Sequence, residues 1–175
     1  HPVDNRADEG AAGTLGVIHA CLNGDIDNFQ QLKHAFEQRG GRISAEVTTD
    51  TKIIPLQIEL YLRQGYDVAE SFRRADGDFQ GSHAIAMHPS LAPGKLFLAQ
   101  RGSGQAIFVG IAPDHYMATS EVYGFIEETS AYIRLDGESV VDGPAGKTQG
   151  QLVILDQRSP GGLQGIASMR YDGTP

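Results

Sequence analysis

Asn23 and Gly24 close an apolar run that extends from Gly16 to Leu22. An asparagine amide beside a glycine N–H at a strand end supplies two donors of the kind that stabilise a developing oxyanion. Asn-Gly is also the strongest short hairpin signal. Here, however, a helical pattern follows the dipeptide, not a partner strand. Further along, Thr49-Asp50-Thr51 opens a second apolar helix. An ionised Asp50 is acceptor-only, which suits it to gripping a substrate ammonium through a charge-assisted bond. The same carboxylate has a structural alternative, capping that helix.

Other chemistry-bearing residues lead less far. Arg101-Gly102-Ser103-Gly104-Gln105 is glycine-rich but lacks the Lys-Ser/Thr ending of a phosphate-binding P-loop, and it reads as a hairpin turn. The six histidines show no metal-ligand spacing, so no metal is expected. No Gly-x-Ser-x-Gly elbow occurs. His19 and Cys21 fall within the apolar run and read as core residues, the thiol as a small hydrophobe. His1 in place of Met marks the chain as processed or excised, with excision the better reading.

The totals bound the class. A chain of 175 residues forms one domain with a real core. A formal net charge of −8 repels phosphate backbones and argues against nucleic acid as partner. No apolar run reaches the length of a membrane span, so no membrane association is expected. One cysteine forms no internal disulfide and fits a reducing, cytoplasmic setting.

These groups need elements to position them. Residues 1–13 are polar and read as a surface loop, and Thr14 to Leu22 as a buried strand. A helix is predicted from an Asn28 cap through Arg39, with Phe29, Leu32 and Phe36 on one face and Gly40-Gly41 ending it. Arg42 to Val47 is predicted as a short strand. The next helix carries Ile53, Leu56 and Leu60 on one face and Ile54, Ile58 and Leu62 on another, which implies burial on more than one side. Pro55 lies in its first turn and Gly65 closes it. Asp67 opens a third helix, Val68 to Ala75, with Phe72 inward. Strands follow: Gly81 to His88, Lys95 to Gln100, Gln105 to Ile111, Tyr116 to Thr119, Tyr132 to Leu135, Ser139 to Val141, Leu152 to Leu155 and Gly165 to Met169. A helical turn is expected over Ser120 to Phe125. Helices followed by a strand meander indicate α+β layers, not βαβ units.

Strand, Asn-Gly, an acidic-Asn helix, a Gly turn and Thr-Asp-Thr, in that order, resemble the class II glutamine amidotransferases. The likeness is greatest to the glutaminase domain of the glutamine–fructose-6-phosphate aminotransferase (glucosamine-6-phosphate synthase) branch. Leu98 to Gly104 with Ile107 to Gly110 matches that branch's Arg-x-Gly-Ser segment and the strand after it. Tyr116 to Glu121 resembles its Ala-Ser-Asp/Glu step, and Ile126 to Glu138 its strand pair ending in an acidic-Gly-acidic turn. The likeness runs from His1 to about Ser139 and loosely on to Pro175. Arg-Gly-Ser favours the aminosugar branch over relatives with Arg-Asp at the hairpin.

The resemblance implies an N-terminal-nucleophile (Ntn) αββα sandwich, incomplete at its N-terminus, with residues 1–175 as its C-terminal two-thirds. It assigns Asn23 and Gly24 to the oxyanion hole and Asp50 to the substrate's α-amino group. It implies glutamine as substrate, no cofactor, and a sugar phosphate bound by a downstream domain. Residues 140–175 would then form a strand pair and the connection to that sugar-isomerase domain, in a homo-oligomeric parent. The family's cysteine nucleophile and its Arg-Trp-x-Thr-His-Gly loop would precede His1, and Leu22 stands where the family usually has His. The isolated segment is therefore expected to be inactive and, with sheet edges unpaired, aggregation-prone. The alternatives are a degenerate homologue that binds amino acids or acts as a scaffold, and an unrelated structural α+β domain whose Asn-Gly is only a turn.

Overall fold

The computed structural model describes residues 2–6 and 15–175. Its centre is a six-stranded antiparallel sheet in the order β1-β2-β3-β4-β10-β11. These strands are β1 (Val3–Asp4), β2 (Ile18–Gly24), β3 (His83–Pro89), β4 (Lys95–Arg101), β10 (Gln151–Asp156) and β11 (Ile166–Arg170). A three-stranded sheet, β6-β5-β7, is made of β5 (Phe108–Ile111), β6 (Tyr116–Thr119) and β7 (Tyr132–Arg134). The remaining strands β8 (Val140–Gly143) and β9 (Gly146–Gln149) form a hairpin. The described α-helices are α1 (Phe29–Gln38), α2 (Ile53–Arg63) and α3 (Val68–Asp78).

Period-2 alternation sorts the central sheet's side chains onto two faces. Ile18, Ala20, Ile85, Met87, Phe97, Ala99 and Leu152 pack with Ile53, Ile54, Leu56 and Ile58 of α2 and Phe72 and Ala75 of α3. Ala84, Leu98, Val153 and Leu155 point the other way and meet Ile107, Val109 and Leu135 of the small-sheet side. The layers are therefore helix, sheet, sheet. Each large side chain sealed in them, Phe72 or Phe97 for example, contributes roughly 1.5–3 kcal/mol of burial. Residues 53–59 of α2 are all buried, as its two apolar faces demand. The polar side chains this encloses are satisfied: Glu59 takes hydrogen bonds from Asn5 and Arg63, and Gln57 donates to Asp78.

Several expectations change. Val3–Asp4, inside the expected surface loop 1–13, pairs with Ala20 and His19; the other loop positions, His1 and residues 7–13, lie outside the described residues. Arg42 to Val47 joins no ladder: the Val47 N–H turns back to the Ser44 carbonyl and only Ile43 is buried. Strands β4 and β5 do not form a hairpin, since β4 pairs with β3 and β10 while β5 pairs with β6 and β7. Gln100 manages that change of sheet. Fully buried, it donates to the Gln105 carbonyl and accepts from the Ile107 N–H, standing in for a partner strand. Ile126 to Glu138 contains one strand, β7, not two. Residues 140–175 contain two strand pairs, β8–β9 and β10–β11, because Gly146–Gln149 pairs back on Val140–Gly143. His19 and Cys21 are exposed, not core: they alternate with Ile18 and Ala20 and take the sheet face away from the helices.

Candidate active site

Strand β2 continues through Asn23 and Gly24, which pair with Ala84 and His83. The bonds from Asp25 N to the Ser82 carbonyl and from Ser90 N to the Val17 carbonyl set the ladder's parity. Asn23 and Ala84 are then a hydrogen-bonded pair, while Gly24 and His83 are a non-bonded one. The Gly24 N–H therefore points away from β3, to the side where β1 reaches only His19 and Ala20. The Asn23 side chain is exposed and makes no hydrogen bond to any described residue. One donor thus leaves along the sheet's edge and its neighbour along its face, and neither is taken up by a described residue. Gly24 has φ +108°, and a Cβ there would lie 2.3 Å from the Ser82 carbonyl oxygen. Only glycine fits.

Asp50 lies in a 3-10 turn, Asp50–Lys52, that leads into α2. The cap of that turn is Thr49, whose Oγ1 accepts from Thr51 N at 3.3 Å. Asp50 is released from the capping role its position suggested. Its Oδ2 accepts instead from the Ile26 N–H at 2.8 Å, two residues beyond Gly24. Its Oδ1 makes no hydrogen bond to a described residue, and the side chain is half-buried. The structure thus brings the strand end and the acidic helix start together, with one carboxylate oxygen holding the junction and one left open. Asn28 precedes α1 without capping it; its amide bridges the Asp78 carbonyl and the Gln80 N–H, tying the start of α1 to the end of α3.

The Arg101–Gly104 segment borders the same place. Ser82 Oγ accepts from Gly104 N at 3.0 Å and donates to Gln105 Oε1 at 3.2 Å. Gln105 approaches Gly24 closely, its Cδ lying 3.1 Å from where a Gly24 Cβ would stand. Arg101 donates to the Phe79 carbonyl at 3.0 Å. Beneath Gly24, His83 is fully buried and bonded to the Tyr171 hydroxyl at 3.0 Å. Burial, then the Arg101 charge, pushes its imidazole down to about 4, so it is neutral at pH 7. Burial, reinforced by Asp76, pushes the Tyr171 phenol up. Sequence reasoning missed Ser82, Gln105 and His83, whose roles come from register and not from any local motif. Away from the site, Asp136 is held down to about 2, chiefly by the Ser139 N–H and also by Arg170. Among the described residues no three His, Cys, Asp or Glu side chains are placed to hold a metal ion.

The matches to known proteins follow this geometry. The chain is 34% identical over 145 residues to glutamine–fructose-6-phosphate aminotransferase [isomerizing] of Methanothermobacter thermautotrophicus, covering 83% of this chain and 21% of the relative. Among solved structures it superposes on the allosteric regulatory enzyme of purine biosynthesis with TM-score 0.69 at 18% identity, covering 98% of this chain and 31% of the other. The chain is thus similar to the glutamine amidotransferases in sequence and in fold. A second amidotransferase structure, glutamine phosphoribosylpyrophosphate amidotransferase from B. subtilis with ADP and GMP, has TM-score 0.66 at 18% identity, covering 98% of this chain and 31% of its own. The fold is thus that of these amidotransferase structures. The chain spans about a fifth of the length of the curated amidotransferases it matches. No protein-family model matches it. Among the described residues no helix is long and apolar enough to cross a membrane.

Proposed function

We propose that this chain is the glutamine-hydrolysing part of an amidotransferase of the glucosamine-6-phosphate synthase kind, delivering ammonia to a sugar phosphate held by another domain of a homo-oligomeric cytoplasmic protein. The observation that carries it is the Asp50–Ile26 bond, which ties an acidic side chain, one of whose oxygens bonds to no described residue, to a point two residues beyond Gly24 and three beyond Asn23. In this reading Asp50 accepts from the substrate's α-ammonium, and the two donors stabilise the oxyanion formed when a thiolate attacks the γ-amide carbon. Ammonia leaves as the tetrahedral intermediate collapses to a thioester, and water then hydrolyses the thioester to glutamate.

Cys21 is not that thiol. It sits inside β2, one face position before Asn23, and carries no terminal amine to act as base. The attacking thiol is proposed to come from outside residues 1–175, so the isolated chain binds glutamine without hydrolysing it. Glutamine titrated into the labelled chain should shift the amide signals of Asn23 to Ile26 and of Asp50 and release no ammonia. In a longer protein that contains this segment and turns over glutamine, Asn23→Ala should cost roughly 10²–10³ in rate, the usual cost of one oxyanion donor. Unmoved signals, ammonia from the isolated chain, or an unchanged rate would each count against the assignment. The amino-acid-binding or scaffold reading would be favoured if glutamine binds but the longer protein has no turnover.

A further inference from the structure

The β2–β3 register sets His19 of β2 directly opposite His88 of β3. Both are exposed, on the face away from the helices, and neither imidazole hydrogen-bonds to a described residue. Directly opposed residues of an antiparallel pair share a face with Cβ atoms about 4.5–5.5 Å apart, a separation two imidazoles span to reach one ion. We propose that His19 and His88 form a two-imidazole site for a divalent transition-metal cation. Neutral imidazole suits Zn(II), Ni(II) and Cu(II), and the general affinity order places Cu(II) highest.

The surroundings fix how many protein ligands the ion has. On the far side of His19, the register places Asp4 of β1 directly opposite. Its carboxylate is already taken by Arg6, whose backbone N–H and guanidinium Nε donate at 2.9 and 2.8 Å. Among the described residues the site is therefore bidentate, and no three-ligand group occurs among them. Water completes the coordination. His88 also lines an open cleft of about 500 Å³ with Lys95, His115, Tyr116 and Asp156, which leaves room for those waters. The other described histidines offer no such pairing. His34 is bonded to Gln38, His115 to Asp114, and His83 is buried. The linear spacing of the histidines gives no hint of the site, because the two ligands come from different strands.

The test is titration of the full 175-residue chain with nickel chloride by calorimetry, alongside copper(II) electron paramagnetic resonance. One equivalent should bind, with nitrogen hyperfine structure from two imidazoles. His19→Ala and His88→Ala should each weaken binding by about tenfold or more, and the double variant should abolish binding at this site. Both positions are exposed, so the variants should keep the wild-type circular dichroism. His1→Ala, His115→Ala and Cys21→Ser should leave the affinity unchanged. Wild-type affinity in both His19→Ala and His88→Ala would overturn the site, as would loss of binding in any of those three controls.

Discussion

Replacing Asp50 by asparagine separates the two tasks assigned to its carboxylate. The amide oxygen of the new side chain still accepts from the Ile26 N–H, so the 2.8 Å junction between strand end and helix start survives. Stability should then change by less than about 1 kcal/mol, the net worth of one ordinary hydrogen bond. What changes is the open oxygen, which becomes an NH₂ donor facing an ammonium that itself only donates. A hydrogen bond to a charged group is worth about 1.5–3 kcal/mol, so glutamine should bind roughly 10- to 100-fold more weakly. Asp50→Ala removes both tasks. It leaves the Ile26 N–H without its acceptor and should lower stability by about 1–3 kcal/mol as well as abolishing the ligand effect. Urea unfolding measures the first quantity, and glutamine titration followed by backbone amide shifts measures the second. If Asp50→Asn binds glutamine as tightly as wild type, the carboxylate is only a structural tie and the ammonium role is wrong.

Gly24→Ala combines a positive φ with a Cβ 2.3 Å from a backbone oxygen, and should lose more than about 2 kcal/mol in urea unfolding; an unchanged midpoint would contradict the close approach. His83, lowered in the fold to about 4 from 6.5, is neutral in both states above pH 6.5. Its contribution is complete there and is lost as the pH falls from 6.5 towards 4, by about 3 kcal/mol in all. Stability measured across that range should therefore fall more steeply in wild type than in His83→Phe; parallel curves would refute the burial effect. Asp76 has the opposite sign. Fully buried with neither oxygen hydrogen-bonded to a described residue, its carboxyl is raised well above 3.8, so it favours the fold at low pH and costs stability as the pH climbs through that raised value. Asp76→Asn should be more stable than wild type at neutral pH, with the gap widening as pH rises; a gap that narrows would show that the carboxylate has a partner in solution.

Much of the fold was legible because it rests on local patterns. The three helices and most strands lie where periodicity and caps put them, since a side-chain period of 3.6 or 2 is set by the backbone itself. Asp67 does cap α3, by accepting from Glu70 N. The failures share one cause. Which sheet a strand joins, and which face of it is covered, depend on partners distant in sequence. Arg42 to Val47 has strand-like residues but no ladder to join. Strand β5 leaves the central sheet because Gln100 satisfies the backbone at the crossing. His19 and Cys21 looked internal because an apolar run hides its alternation, and no described layer covers their side of β2.

By itself, the sequence located the residues proposed as donors and acceptor of the candidate site. Asn-Gly at a strand end and an acidic helix start are statements about residue type and local geometry, and both stand in the structure. Only the tertiary structure decided that they meet. The Ile26–Asp50 bond closes a long loop, and the ladder parity that turns the Gly24 N–H outward is set by contacts with Ser82 and Ser90, far along the chain. The pairing of His19 with His88 belongs to the same class. Residue chemistry is written locally, whereas juxtaposition is a property of how strands register across a sheet, and no single segment carries that information.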